Sequence, residues 1–234
     1  MVFSDPRFPL LYDANHAAIL EEMPDLGLAE IRGELLPALR EAGAPHEQIE
    51  FWASHECPAV AEMREITGDT RDVLMILEGP PAALPPTEIE VREIVEPDQE
   101  FLAWYRESRS DFGERPELGE AVLDQLYRRD LEMFFPRGLR FFVGFVDGEM
   151  AGLATLLGID GIGYLDSVVT RREFRYRGVA TATVRTAVEA SFDRGDELVH
   201  LLAMKGGAPQ RLYEKLGFRA TAEIVTFTRQ LSAT

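Results

Sequence analysis

From Glu88 to Val95 the chain alternates polar and apolar residues, the period-two signature of a strand with one buried face. Pro97 and Asp98 then open a helix. Two helical stretches, about 97–110 and 117–135, lead into Arg140-Phe141-Phe142-Val143-Gly144-Phe145-Val146, a run rich in strand formers. Asp147-Gly148 is a hairpin signal, so Glu149 to about Leu157 returns antiparallel. After a turn at 158–163, a third strand runs from Tyr164 to Thr170, and its period-two face carries Tyr164, Asp166, Val168 and Thr170. The period changes at Gly178, where Ala180, Val184, Ala187 and Val188 line one face of a helix that ends near Gly195. A strand at Leu198–Met204, a short helix at about 209–216 stopped by Gly217, and a strand at Ile224–Thr228 follow. The order β-α-α-β-β-β-α-β-α-β predicts an α/β fold with one mixed sheet flanked by helices.

Four prolines within Gly79–Pro86 can neither continue a helix nor pair inside a sheet, so residues 81–86 are expected to link two domains, 1–80 and 87–234. The first domain reads as a shortened copy of the second half of the other. Gly27 opens a helix as Gly178 does, Gly43 closes it as Gly195 does, and Gly68 follows a short helix as Gly217 does. Strand-like Ile49–Trp52 and Val73–Leu77 fill the remaining places.

Charge narrows the partners. With 41 acidic residues against 24 basic, the chain carries −17 at neutral pH, which disfavours nucleic acid and anionic membranes. No apolar run spans a bilayer, and the start lacks a basic stretch followed by an apolar one, so a cytoplasmic location is expected. A lone Cys57 excludes an intrachain disulfide framework. His16, His46, His55 and His200 are scattered without metal-ligand spacing, so no metal is expected, and His200 reads as a satisfied buried histidine.

Residues 171–177 hold four arginines and one glutamate inside this acidic chain, between a strand and a helix. A helix N-terminus has unpaired N–H groups and partial positive charge, and glycine lets a phosphate approach the backbone, so this loop is a candidate pyrophosphate site. Arg175-Tyr176-Arg177-Gly178-Val179-Ala180 fits Arg/Gln-x-x-Gly-x-Gly/Ala, and Tyr213-Glu214-Lys215-Leu216-Gly217-Phe218 follows about 35 residues later.

These two motifs, joined by these elements, resemble the GNAT superfamily of acyl-CoA N-acyltransferases over residues 87–234. Residues 1–80 then resemble a degenerate half of the same fold, as in tandem members. The resemblance implies acetyl-CoA as co-substrate and no metal. It implies that Arg175, Tyr176, Arg177, Gly178, Val179, Ala180 and Thr181 hold the pyrophosphate, and that Val168, Val169 and Thr170 lie along the pantetheine arm. Tyr213 would protonate the departing thiolate, which a phenol of pKa ~10 can do. Where many members have an asparagine, this chain has Gly206, and in the degenerate half Pro24, Asp25 and Arg64 replace the functional residues, so no coenzyme A is expected there. Asp166 is the first candidate for the base that takes the ammonium proton, with Asp130 and Glu132 beside it.

The expected activity is direct acetyl transfer to an amine of a small molecule or protein. Its rival is a non-catalytic acyl-CoA-binding or scaffold protein with the same fold. A homodimer is left open.

Overall fold

The computed structural model describes residues 1–41, 43–53, 55–82, 88–109 and 119–231. Its strands are β1 Val2–Ser4, β2 Asn15–Ile19, β3 His46–Phe51, β4 Thr70–Leu77, β5 Glu90–Ile94, β6 Arg140–Val146, β7 Glu149–Ile159, β8 Ile162–Thr170, β9 Leu198–Met204 and β10 Arg219–Gln230. Its helices are α1 Leu28–Glu30, α2 Leu36–Glu41, α3 Pro58–Thr67, α4 Gln99–Ser108, α5 Glu120–Arg129, α6 Val179–Arg194 and α7 Ala208–Lys215. A π-helical turn, Ile31–Leu35, joins α1 to α2, and another, Asp130–Phe134, extends α5. The chain divides into two compact units. One is Met1–Leu74 with Ala203–Lys205 and the chain from Ala222 on; the other is Met75–Leu202 with Gly206–Thr221. Most of the expected linker, from Ala83 to Pro86, and the expected helix bounds at 110 and 117 lie outside the described residues.

In the second unit β5 to β8 form the antiparallel meander, and β8 pairs with β9 in parallel. Both β6–β7 and β7–β8 turn on Asp-Gly, with Asp147 (φ 52°), Gly148 (φ 86°), Asp160 (φ 50°) and Gly161 (φ 80°) in the left-handed region that a two-residue hairpin requires. Phe101 and Tyr105 of α4 pack with Phe141, Val143, Leu153 and Leu157 on one face of the sheet. The other face receives α6. A Cβ on Gly152 would lie 2.5 Å from the Val169 carbonyl oxygen and 2.9 Å from Val179, so only glycine lets the first turn of α6 rest on the sheet there.

The single face expected for β8 does not exist. β8 pairs with β7 as Leu156↔Leu165 and Ala154↔Val168, so Asp166 and Ser167 together oppose Thr155 in a β-bulge. Directly paired residues share a face. Val168 and Thr170, opposite Ala154 and Gly152, therefore lie on the α6 side with Gly163 and Leu165, while Tyr164 lies on the opposite side.

The strands of the first unit pair in both senses. β1 is antiparallel to β2, β2 is parallel to β3, and β3 is antiparallel to the distal half of β10. Ile31, Leu39, Ile49, Phe51, Val60 and Phe227 form its core. β1 and β2 were not expected from the sequence: Asn15-His16-Ala17-Ala18-Ile19 shows no alternation.

Candidate functional site

The arginine loop is held both by apolar packing and by ion pairs, Arg171 meeting Glu107 at 3.2 Å and Glu173 at 3.3 Å. After β8 the Arg171 N–H donates to the Ala151 carbonyl (3.0 Å), Arg172–Phe174 form a 3₁₀ turn, and Phe174 packs with Val146, Ala151 and Val179. Arg175 Nε donates to the Thr170 carbonyl (3.4 Å), and Arg177 pairs with Asp147 at 3.2 Å. Tyr176 is fully exposed and takes φ 64°, and Gly178 follows at φ 88° as the residue before α6. No side chain caps α6, and its first turn holds no acidic residue. A 16-residue helix thus presents its N-terminal N–H groups and partial positive charge beside a loop of arginines, with nothing of its own to neutralise them. Val168, Val169, Thr170 and the segment from Arg175 to Thr181 are brought together here, with Val179 against Gly152 and Gly152 opposite Thr170.

Beside this helix end the sheet opens. β8 and β9 pair only through Ile162↔Leu198, Gly163↔Val199 and Tyr164↔His200. Past that rung neither strand edge is paired to the other, which leaves the N–H and C=O groups of the distal half of β8 facing a slot. An extended amide-bearing chain can add to such an edge as a strand would.

Tyr213, on α7, is buried and stands edge-on to Phe218 (ring centroids 5.8 Å). Burial raises its phenol above the usual tyrosine range, so the group is protonated at neutral pH. It makes no hydrogen bond or ring contact to Asp166 or to the arginine loop among the described residues. The N-terminal end of α7 is closed by its own side chains: Gln210 Oε1 accepts from the Gly206 N–H (2.7 Å), and Arg211 Nη1 donates to the Gly206 carbonyl (2.6 Å).

Asp166, in the bulge, belongs to a buried polar cluster that sequence reasoning missed. Its Oδ2 accepts from Arg129 Nη2 (3.0 Å) and Ser167 Oγ (2.9 Å). Arg129 also donates to Asp130 Oδ1 (2.9 Å), and Tyr105 OH donates to Asp130 Oδ2 (2.5 Å). Arg109, 1% exposed, pairs with Asp130 and donates to Ser167 Oγ (2.9 Å) and Tyr105 OH (2.6 Å). Two arginines balance two aspartates in a largely buried site, which is how buried charge is tolerated. Asp130 is therefore fully enclosed and engaged, while Glu132 lies exposed and pairs with Arg128 at 2.9 Å. Nothing in the sequence marks Arg129-Asp130 as buried, since the same pair occurs at Arg71-Asp72, where Arg71 is exposed.

His200 stacks on Tyr164 (4.9 Å, 17°), but its Nδ1 is buried with no hydrogen-bond partner, so it is not the satisfied histidine expected. Among the described residues no group of three His, Cys, Asp or Glu side chains is arranged to hold a metal ion, and no helix is long and apolar enough to cross a membrane.

A family model described as "Acetyltransferase (GNAT) family" matches residues 99–218, half of the chain. A mycothiol acetyltransferase of Frankia casuarinae is 38% identical over 128 residues, covering 50% of this chain and 36% of that protein. One from Thermobispora bispora is 29% identical over 250 aligned positions, covering 95% of this chain and 83% of that protein. The chain thus spans from about a third to about four-fifths of the length of these relatives. Among solved structures, a GCN5-related N-acetyltransferase from Kribbella flavida superimposes with a TM-score of 0.64 at 19% identity, covering 92% of this chain and 81% of that one.

Proposed function

Because the chain belongs to the acetyltransferase (GNAT) family, we propose that it moves the acetyl group of acetyl-CoA directly to the amine of a small molecule. The observation that carries this reading is the uncapped end of α6 beside the slot where β8 and β9 part. The described residues fit the co-substrate at each part. Arg175, Tyr176, Arg177 and the backbone from Gly178 to Thr181 receive the pyrophosphate, and the β8 edge along Val168–Thr170, whose Thr170 carbonyl already accepts from Arg175, receives the amide-bearing arm. Acetyl-CoA supplies the activated thioester. As the C–N bond forms and the C–S bond breaks, Asp166 takes the ammonium proton directly or through water and the Tyr213 phenol gives its proton to sulfur. Solvent then restores both groups. The mycothiol acetyltransferases similar to this chain make a mycothiol-type amine the first acceptor to test.

The first unit supports a single cofactor site per chain. We read it as a degenerate half of the same fold, since β2, the helix from Leu28 to Glu41, β3, α3 and β4 repeat the order of β8, α6, β9, α7 and β10. Its corresponding features are closed. Glu30 Oε2 accepts from the Gly27 N–H (3.0 Å) at the helix start, and β2 and β3 stay paired to their ends, with the Trp52 N–H donating to the Ile19 carbonyl (3.0 Å).

The direct test is release of free thiol from acetyl-CoA across a panel of small amines that includes a mycothiol-type amine. The expected result is amine-dependent release with at least one of them. Cofactor binding with release by none would return the non-catalytic acyl-CoA-binding reading.

A further inference from the structure

The β8 bulge decides which backbone groups face the slot. A one-residue slip of β8 against β7 would remove the bulge and turn Val168 and Thr170 from the α6 side to the opposite side. Such a slip would also exchange the N–H and C=O groups offered to the slot for those of the neighbouring residues. Something must hold this register, because both strands are apolar around it: Leu153, Ala154 and Leu156 on β7, Leu165, Val168 and Val169 on β8. Apolar side chains of similar size tolerate either register; polar ones do not.

The polar contacts converge on the two bulged residues. The Ser167 N–H donates to Thr155 Oγ1 (3.0 Å) instead of to the backbone ladder. Ser167 Oγ receives Arg109 from the end of α4, and Asp166 Oδ2 receives Arg129 from the end of α5. Asp130 ties the two guanidinium groups to each other and, through Tyr105 OH, to α4. Arg129 spans Asp130 and Asp166 with one planar fork, a geometry that lysine cannot reproduce.

We infer that Arg109 and Arg129 are positioning residues, which lock the Asp166–Ser167 bulge and thereby set the β8 edge that acetyl-CoA pairs with. This rests on the acyl-CoA reading of the slot. It goes beyond that reading by assigning a role to two buried arginines that the transfer step leaves unused, Arg129 acting through Asp166 and Arg109 through Ser167.

The test compares Arg129→Met, Arg129→Lys and Thr155→Val, the last a near-isosteric change that removes only the acceptor for the Ser167 N–H. Hydrogen exchange is measured along β8 without ligand, and acetyl-CoA affinity by calorimetry. The expected result is a loss of exchange protection concentrated at residues 165–170. Acetyl-CoA binding should be at least ten-fold weaker in Arg129→Met, partly recovered in Arg129→Lys, and weakened to a smaller extent in Thr155→Val. If Arg129→Met does not fold, Thr155→Val carries the test. Loss of protection spread evenly over the molecule, or unchanged affinity in the folded variants, would overturn the inference. If the unaltered protein binds no acetyl-CoA, the cofactor reading fails instead, and the exchange pattern still reports on the lock.

Discussion

Tyr213 is a buried phenol that keeps its proton at neutral pH; burial also makes it a weaker acid, so its proposed role as proton donor rests on its place in the motif on α7 and is tested by substitution. Tyr213→Phe removes the proton and little of the packing against Phe218. It is expected to lower kcat by about 100-fold or more, within the usual range for general acid catalysis, while the calorimetric affinity for acetyl-CoA stays the same. Unchanged kcat would take Tyr213 out of the reaction. Tyr105 gives a different reading of buried phenols. Desolvation, opposed by the nearby Arg109, pushes it up to about 12. A tyrosine with a raised folded-state value keeps its proton after the unfolded chain has lost it, so the stability it confers is full below pH 10 and declines as pH rises to 12. The decline amounts to roughly 2–3 kcal/mol. The slope of Tm against pH between 10 and 12 is expected to be shallower in Tyr105→Phe, and equal slopes would contradict the assignment. At this scale the sequence was legible where a motif is local, as in the run from Arg175 to Ala180. It was not legible at Arg109 and Arg129, because arginine in a helix reads as a solvated face and only tertiary contacts show it buried.

Elements depend on close approach as much as on pattern. The first turn of α6 rests on Gly152, so Gly152→Ala places a methyl group against the Val169 carbonyl and the Val179 side chain. The expected cost is about 1–3 kcal/mol of stability, as for overpacking elsewhere, and a weaker grip on acetyl-CoA as the helix end shifts. Chemical denaturation together with calorimetry checks both, and a variant as stable as the parent would show that α6 is not seated there. Most elements of the second unit were legible because their signals are short-range: Asp147-Gly148 sets a hairpin, Gly178 and Gly195 bound α6, and Leu198–Met204 is a strand at both ends as read. The bulge was not, since it shifts the alternation by one residue at Asp166-Ser167, and the run Val168-Val169 after it is apolar on both faces and so does not show the change of phase. β1 and β2 were missed for a related reason: short strands are specified by the neighbour they pair with, here β3 for β2, more than by their own composition.

Across the whole molecule, the two units repeat one arrangement, a parallel strand pair joined by a helix, yet only one copy is open. In the second unit the helix end is uncapped and the strands part after Tyr164↔His200; in the first, Glu30 closes the helix start and β2 and β3 remain paired. The acidic surplus is also uneven, with a net −11 over residues 1–86 and −6 over the remainder, which sets the arginine loop apart as a local cationic site. The central claim is that this loop and slot form one acyl-CoA site per chain. Calorimetric titration of the purified protein with acetyl-CoA, alongside an Arg175→Glu/Arg177→Glu variant, tests it most directly. The account predicts saturable binding at one site per chain and loss of binding in the variant. Two sites per chain, no binding at millimolar acetyl-CoA, or undiminished binding by the variant would contradict it.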